Sequence, residues 1–474
     1  MTIRDQLIGA QTRRQFLQKS AYGVGMLALH ALMSEDALAQ DNNPLAPRPP
    51  HFPGKAKSVI FLFMSGGPSQ LDLFDPKPEL AKWHGKPLPE SLTKGLQLAF
   101  VKPNAAVMAS PRKFTPAGQS GTPFSELLPH TATCADDIAV LRTLHSEAFN
   151  HDPGEMLLMT GHTLLGRPSM GSWVTYGLGS ESKDLPGFVV LGSGTGPSAG
   201  SNNWSNGFLP SVYQGTRFRS SGDLIPYLSN PAGVDRELQR ARLDTIRALN
   251  ETRLKETGDN EIAARIASYE LAFRMQMSAP GLLDFGKESP KTLEAYGINQ
   301  EPTHAFGVNC LLARKMVEQG VRFVMLQHGS WDDHERIDES LDRNCAITDR
   351  PTAALLRDLK QRGLLDSTLV IWGGEFGRTP MSQLNRPDGK PGRDHHPNCF
   401  SAWMAGGGIK GGQVIGTTDE FGLRPVEGEV HINDLQATIL HCLGFDHTRL
   451  TYTHMGRAFR LTDVGGHVVK SLLA

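Results

Sequence analysis

The chain has 474 residues and a formal net charge of −1 at pH 7. This near-neutral balance excludes the strongly basic surface that binding to nucleic acid or to an anionic membrane requires, so any acidic ligand must be held locally. The five cysteines are widely spread and form no C-x-x-C spacing, so we expect most of them to be small buried side chains rather than a disulfide framework. One or two disulfide bonds are the alternative.

The first 39 residues have the pattern of a twin-arginine export signal. Arg13 and Arg14 precede a moderately apolar run at 21–32 that is too short to cross a bilayer as a helix, and Ala-Leu-Ala at 37–39 is typical of a cleavage site. We therefore predict a signal peptide over 1–39, the Tat translocase as a partner during export, and a periplasmic or secreted protein. The alternative is a cytosolic amphipathic helix that begins with two arginines. No other segment is apolar for long enough to predict a stable membrane span.

A proline-rich linker at 40–57 precedes what we predict to be a single domain over 58–474. Ser58 to Met64 is a charge-free apolar run, typical of a strand buried on both faces of a sheet. Asp72 lies on the turn sequence beyond this strand and is a candidate metal ligand. It can equally be a turn residue, because aspartate readily hydrogen-bonds to the backbone of turns.

The middle of the chain combines further strands and helices with one long irregular stretch. We predict strands at 138–144 and 187–191 and helices at 156–161, 170–178 and 304–319. The stretch at 192–230 is rich in glycine and serine and has no periodicity, so we predict a structured loop or a lid over the site. Residues 235–277 carry apolar positions at helical spacing with a break near 257–259, which predicts a helical hairpin inserted in the domain at 234–280.

The last third of the chain alternates helices and strands. We predict strands at 321–326, 368–372 and 399–405, a helix from an Asp349 cap with Pro351 in its first turn to Arg362, and a closing helix at 433–443. Such alternation favours an α/β fold with a doubly wound, mostly parallel sheet and helices on both faces. Because ligands bind beyond the carboxyl ends of parallel strands, polar residues that follow the strands are the candidates for a functional site.

Polar clusters follow two of these strands. Asp332 and His334 come after the strand at 321–326, while Glu375 and then His395 come after the strand at 368–372. Carboxylate and imidazole ligands suit zinc, manganese or iron, whereas calcium prefers oxygen alone. The alternative for Asp332 and His334 is a solvated loop, since the surrounding sequence WDDHERIDE is strongly charged.

Two further residues extend this candidate site. His396 follows His395 directly on a segment rich in proline and glycine, which we predict to be a loop. Side chains of adjacent extended residues point in opposite directions, so at most one of the two histidines is expected to be a ligand. Arg378 follows Glu375 closely and offers a planar fork for an anionic substrate oxygen, which makes it a candidate catalytic residue.

The sequence resembles a known bacterial family. The strings FLFMSGGPSQLDLFDPKP, DLKQRGLLDSTLVIWGGEFGRTP and GRDHHPNCFSAWMAGGGIKGG are similar to those of the family called domain of unknown function 1501, and the match spans nearly the whole chain after the export signal. That family is similar in turn to the alkaline phosphatase and sulfatase superfamily. The resemblance implies an alkaline phosphatase-like fold and a site of one or two divalent metals, whose ligands would include Asp332, His334, Glu375 and His395.

The chain also departs from the pattern of this superfamily. The segment HDPGEMLLMTG at 151–161 has the length of the sulfatase nucleophile motif, but His151 stands in the nucleophile's place and Glu155 in the arginine's. A formylglycine mechanism is therefore excluded at that position, and His151 is a candidate nucleophile, general base or metal ligand, with simple capping or packing as the alternative. Phe376 stands where the superfamily has a histidine, which weakens a two-metal site.

The function that we expect is metal-assisted hydrolysis of a phosphate or sulfate ester in the periplasm. The expected metal is zinc or manganese rather than calcium, and its expected ligands are Asp332, His334, Glu375 and His395, with Asp72 as a further one. The expected catalytic residues are His151 and Arg378. The alternative function is that of a noncatalytic periplasmic binding or assembly protein on the same fold, which the altered nucleophile position favours.

Overall fold

The structure is a computed structural model that describes residues 43–96, 98–219, 225, 229–384 and 389–474. The predicted export signal at 1–39 lies outside these residues. The segment predicted as a linker is described from Asn43 onwards and lies along the domain, where Arg48 N donates to Leu178 O at 2.8 Å. Among the described residues, no helix combines the length and the apolarity that crossing a membrane requires.

The strands of the described chain vary from short bridging pairs to long buried segments. They are β1 (Ser58–Met64), β2 (Phe114–Ala117), β3 (Thr122–Ser125), β4 (Ile138–His145), β5 (Phe188–Ser193), β6 (Thr216–Phe218), β7 (Phe323–His328), β8 (Thr368–Gly373), β9 (Gly377–Gln383), β10 (Gly392–His396), β11 (Phe400–Ala405), β12 (Gln413–Ile415), β13 (Thr417–Thr418), β14 (Pro425–Glu427), β15 (Val430–His431), β16 (Tyr452–His454) and β17 (Arg457–Phe459).

The α-helices of the same residues include several short ones that the sequence patterns do not predict. They are α1 (Gln70–Leu73), α2 (Glu79–Trp83), α3 (Glu90–Thr93), α4 (His151–Thr160), α5 (Met170–Leu178), α6 (Arg236–Thr257), α7 (Asn260–Leu283), α8 (Pro290–Ala295), α9 (His304–Glu318), α10 (Ile337–Gln361) and α11 (Ile432–Cys442).

A mixed sheet forms the centre of the fold, in the order β12-β4-β11-β8-β1-β7-β5-β6, with β15 also beside β4. Its neighbouring strands are parallel, except that β11 runs antiparallel to both β4 and β8. The largely parallel α/β sheet that the alternation of elements predicts is therefore confirmed.

The three adjacent strands β1, β7 and β8 are buried along their whole length. Their apolar sequences suit strands that are covered on both faces. In the observed register Phe63 lies beside both Gln327 and Gly373, so the carboxyl ends of the three strands finish at the same level. The segments that follow these strands consequently start side by side.

The helix predicted to begin at Asp349 begins earlier. α10 starts at Ile337 and contains Pro351 in its interior, so the predicted start is wrong. The first half of α10 is rich in charged residues, but Leu341 and Cys345, four residues apart on one face of the helix, are buried. Burial of this face outweighs the lost backbone hydrogen bond at Pro351, a penalty of about 3 kcal/mol.

The segment predicted as a proline- and glycine-rich loop before Cys399 is partly a strand. β10 pairs antiparallel with β9, and in this register His395 lies opposite Arg378 and His396 opposite Gly377. The loop prediction for these two histidines is therefore wrong. Pairing with β9 outweighs local composition, because strand formation depends more on neighbouring strands than on intrinsic preference.

The predicted helical hairpin is present as α6 and α7. Gly258 ends α6 with a φ of 65°, and the Asp259 side chain then accepts a hydrogen bond from Glu261 N at the start of α7. No residue of α6 is buried, so its charged side chains are solvated. The five cysteines elsewhere in the domain are all free and buried, which agrees with the prediction of small apolar side chains.

Candidate metal centre

Four side chains from three parts of the chain meet beyond the carboxyl ends of the central strands. His151 is the first residue of α4, Asp332 and His334 lie between β7 and α10, and His395 lies on β10. One possible ligand atom from each of these four residues lies within 4.8 Å of those of the others. The structure thus brings three predicted metal ligands together with a predicted catalytic histidine.

Asp332 Oδ1 is the centre of this cluster. The Nε2 atoms of His151, His334 and His395 lie 3.1, 2.9 and 3.3 Å from it. Arg378 Nη2 lies 2.8 Å from the same oxygen. Burial by itself would raise the pKa of Asp332, but hydrogen bonds that the imidazole Nε2 atoms donate when they are protonated and the charge of Arg378 hold it well below its usual range. The carboxylate is therefore ionised.

The outer nitrogen of each histidine in the cluster lies beside an oxygen atom. The Nδ1 atoms are 2.6 Å from Glu375 Oε1 for His151, 2.7 Å from Gln383 Oε1 for His334 and 2.7 Å from Phe149 O for His395. Such an oxygen only accepts, so each Nδ1 carries a proton. Whenever the ring is neutral, its lone pair is therefore on Nε2, which faces Asp332. Outer oxygens fix the tautomer of metal-binding histidines in the same way.

The donor atoms fit a bound cation. Burial is the main reason that the pKa of His395 is lowered to about 4, so the ring is neutral at pH 7. Its Nε2 lone pair faces the Asp332 carboxylate, and two such groups repel unless a cation lies between them. Four ligands placed tetrahedrally at about 2.1 Å from a zinc ion are roughly 3.4 Å apart, which is close to the observed spacing around Asp332 Oδ1.

His151 has a different electrostatic state from His395. Burial lowers the pKa of His151, but the nearby carboxylates of Asp332 and Glu375 outweigh burial and raise the pKa to about 9. A metal must therefore displace a proton from this ring, as is general when histidine becomes a ligand. Nε2 is buried and makes no hydrogen bond of good geometry, although Asp332 Oδ1 is only 3.1 Å away.

Glu375, a predicted ligand, is not part of the cluster and contacts it only through His151. Besides its contact with His151 Nδ1, it accepts hydrogen bonds from Gly66 N at 3.0 Å (Oε1) and 3.3 Å (Oε2). Gly66 has a φ of 118°, and a Cβ at this position would lie 2.5 Å from Asp332 N. Only glycine allows the loop after β1 to approach so closely. Glu375 therefore joins this loop to His151 and orients the imidazole ring.

Arg378, predicted to bind substrate, is fully buried. Its guanidinium group donates to Gly67 O at 2.9 Å, Arg393 O at 3.1 Å, Trp331 O at 3.2 Å and also to Gly66 O, in addition to Asp332. Nearly all donors of the fork are thus used within the protein. In this structure Arg378 holds the loops that carry the cluster and positions Asp332.

Asp72, a predicted metal ligand, and His396, the neighbour of His395, both lie outside the cluster. The Asp72 carboxylate pairs with Arg393 Nε at 2.9 Å and accepts from Ser69 Oγ at 2.5 Å. His396 Nε2 lies 3.0 Å from Leu423 O. Of the two adjacent histidines, only His395 reaches the cluster, as expected for alternating directions along a strand.

A cleft of about 550 Å³ opens over the cluster and reaches Asp332, whose side chain is 46% exposed. The lining residues are Phe100, Asn150, His151, Asp152, Pro153, Ser198, Asp332, His334, Gln383 and His395. Ser198 belongs to the stretch predicted as a loop or lid. Glu155 fixes this stretch, because it accepts hydrogen bonds from Ser198 N at 3.2 Å and Ala199 N at 2.8 Å. Phe100 and Gln383 are lining residues that no sequence pattern singles out.

Comparison with known proteins gives a match to a protein family. The family described as "Protein of unknown function (DUF1501)" matches residues 56–473. No curated protein sequence matches the chain.

Several solved structures are similar to this one at low sequence identity. Alkaline phosphatase from the Antarctic bacterium TAB5 is 11% identical, with 83% of this chain and 99% of that chain covered and a TM-score of 0.35. The lipoteichoic acid synthase LtaP from Listeria monocytogenes is 9% identical, with 86% and 78% covered and a TM-score of 0.36. The PsFucS1 sulfatase from Pseudoalteromonas sp. is 12% identical, with 84% and 68% covered and a TM-score of 0.33. Similarity at this level carries no residue roles over to the present chain.

Proposed function

The chain belongs to the DUF1501 family, and we propose that it is a metal-dependent hydrolase of phosphate or sulfate esters. The pattern of the first 39 residues supports export by the Tat translocase and a place of action in the periplasm or outside the cell. The observation that carries the proposal is the common direction of three imidazole Nε2 atoms towards Asp332 Oδ1 at the base of an open cleft.

The donor set favours zinc or manganese. Three imidazoles and one carboxylate are a ligand set that these metals accept, whereas calcium prefers oxygen atoms alone. The proposed ligands are His151, Asp332, His334 and His395. A metal held by them would polarise an oxygen of the ester and lower the pKa of water in the site.

The residues around the cluster prepare this site for binding. Glu375, Gln383 and the Phe149 carbonyl hold the three rings with their Nε2 atoms inward, so little rearrangement is needed when a cation enters. With Nε2 in the cation site and Nδ1 on Glu375, His151 has no nitrogen left to attack an ester. We therefore assign metal binding to His151, and to Arg378 the role of positioning the Asp332 carboxylate.

Metal content is the direct test of this proposal. We expect about one zinc or manganese ion per purified chain by plasma mass spectrometry, and its loss in His395→Ala. His467→Ala is the matched control, because that histidine is exposed and is expected to leave metal content unchanged. Metal-loaded protein should then hydrolyse at least one aryl phosphate or aryl sulfate. A chain that binds neither metal at micromolar concentration would contradict the proposal.

One alternative keeps the metal site without the chemistry. The groups expected to attack or to bind the substrate, His151 and Arg378, are both engaged within the protein. This observation favours a noncatalytic periplasmic binding or assembly protein as the second candidate. Stoichiometric metal together with no turnover of phosphate or sulfate esters would select it.

A further inference from the structure

Phe100 is a large apolar side chain that lines the cleft and has its ring exposed to solvent. It is 63% exposed, although it lies next to the candidate metal ligands. Its ring centroid is 5.0 Å from that of His334 and 5.6 Å from that of His395, at interplanar angles of 88° and 78°. These perpendicular contacts fix one part of the ring against the two imidazoles. The rest of the ring borders the cleft.

The backbone around Phe100 is held by a buried carboxylate. Asp394 Oδ2 accepts hydrogen bonds from the N–H groups of Ala99, Phe100 and Val101 at 3.0, 2.8 and 3.0 Å. Asp394 is fully buried, and its other oxygen accepts from His395 N at 2.9 Å. One side chain therefore fixes the position of Phe100 relative to the strand that carries a metal ligand.

An ordered aromatic ring beside a cation site is suited to binding a second ring. Three hydrogen bonds to one carboxylate oxygen hold the loop before any ligand arrives, so little conformational entropy is lost when a ligand packs on it. Two aromatic rings also attract each other beyond the gain from burying their surface. Removing an apolar ring from water is favourable, and the exposed ring of Phe100 lacks this stabilisation. A ligand that covers the ring in the cleft would supply it.

We propose that Phe100 is a stacking platform for the part of the substrate that does not react, and that this part carries an aromatic ring next to the ester. The inference rests on the proposed function, because it places the anionic group of the ester at the metal ligands. The ring of the substrate lies on Phe100 when the anionic group reaches Asp332 and His334. Phe100 thus selects aryl esters over alkyl esters of the same charge.

The experiment compares two inert anions that differ only in the ring. Phenylphosphonate and methylphosphonate are titrated by calorimetry into the zinc-loaded full chain and into Phe100→Ala and Phe100→Trp. In the unsubstituted protein we expect phenylphosphonate to bind about tenfold more tightly than methylphosphonate, which corresponds to about 1.4 kcal/mol. The preference should disappear in Phe100→Ala and persist in Phe100→Trp, while affinity for methylphosphonate stays the same in all three.

The possible results separate the two proposals. Equal affinities for the two anions in the unsubstituted protein would overturn the platform and leave the metal-dependent hydrolase standing. Failure of both anions to bind the zinc-loaded chain, together with no turnover of any aryl phosphate or aryl sulfate, would overturn both proposals. A preference for phenylphosphonate that persists in zinc-loaded Phe100→Ala would overturn the platform. If Phe100→Ala loses zinc, the comparison rests on Phe100→Trp, and loss of the ring preference in zinc-loaded Phe100→Trp would overturn the platform.

Discussion

Arg378 and His395 face each other across the β9–β10 hairpin, and both side chains reach the same oxygen, Asp332 Oδ1, at 2.8 and 3.3 Å. One side chain of this pair is a fully charged guanidinium group and the other a neutral imidazole. The hairpin therefore presents to Asp332 both the charge that keeps it ionised and a nitrogen that can share a cation with it. The contribution of each part can be tested separately.

Glu375→Gln should weaken metal binding without abolishing it. The change removes the negative charge that orients the His151 ring, and loss of such an outer partner typically costs 10- to 100-fold in metal affinity. Competition with a chelator of known zinc affinity measures the effect. Glu429→Gln is the matched control, since Glu429 also contacts a histidine, His145, but is 66% exposed. An equal loss in both variants would contradict the assigned role of Glu375.

Arg378→Lys should destabilise the metal-free protein. Lysine keeps the charge but cannot reproduce the donors that Arg378 directs at Gly67 O, Arg393 O and Trp331 O. Removal of such buried bonds is expected to lower the free energy of unfolding by about 3 kcal/mol, as measured by urea titration. Arg457→Lys, at a position 59% exposed, should change it by less than about 0.5 kcal/mol. Unchanged stability in Arg378→Lys would instead favour a role in binding substrate.

Asp72→Asn distinguishes a structural pair from a metal ligand. Asp72 and Arg393 are both buried and 2.9 Å apart, and burial would raise the pKa of Asp72 while Arg393 lowers it below its usual value. Breaking the pair should lower the free energy of unfolding by about 3–5 kcal/mol. Metal content of the folded protein should stay the same. Asp342→Asn is the control, because the Asp342 carboxylate pairs with Arg112 but is itself 58% exposed. Loss of metal from a fully folded Asp72→Asn protein would restore Asp72 as a ligand.

The metal-free protein should lose stability in acid partly through His328. Burial lowers the pKa of His328 to about 4, so the unfolded chain binds this proton more readily than the folded one. The contribution to stability is complete above pH 6.5 and is lost as the pH falls from there through 4. Over that window it amounts to about 3 kcal/mol.

The test compares urea unfolding of the metal-free protein between pH 4 and 7 with that of His328→Gln. The variant should lose less stability than the parent as the pH falls, because glutamine does not titrate in this range. His467→Gln, at an exposed position, should follow the parent curve. Parallel curves for His328→Gln and the parent would contradict the assignment.

The sequence predicts the strands that carry the site because their patterns are local. β1 and β8 are charge-free apolar runs, and burial on both faces of a central sheet requires such composition. His395 lies farther along the chain and is distinguished from His396 only by the family resemblance, whereas polar residues just beyond strand ends mark Asp332 and Glu375 as candidates. These predictions need only the chain near each residue.

The remaining features depend on contacts between distant parts of the chain. Gly66 N and the Glu375 carboxylate are 309 residues apart in sequence, so no spacing rule links Glu375 to the loop after β1. Phe100 reaches the cleft because Asp394, 294 residues away, binds its backbone. Likewise, α10 starts early because one of its faces is buried, and His395 lies on a strand because β10 pairs with β9. Local composition predicts neither feature.

The wide sequence separation within the site has a kinetic consequence. The central sheet holds together residues of α4, of the loop after β7 and of β10, and contacts between residues this far apart in sequence form slowly during folding. The nascent chain therefore has no high-affinity site while ribosomes are still making its last third. Cation capture at the proposed site would then follow completed folding, and a chain exported in the folded state, as we propose from residues 1–39, would acquire its metal from the cytoplasmic pool rather than from the compartment in which it works.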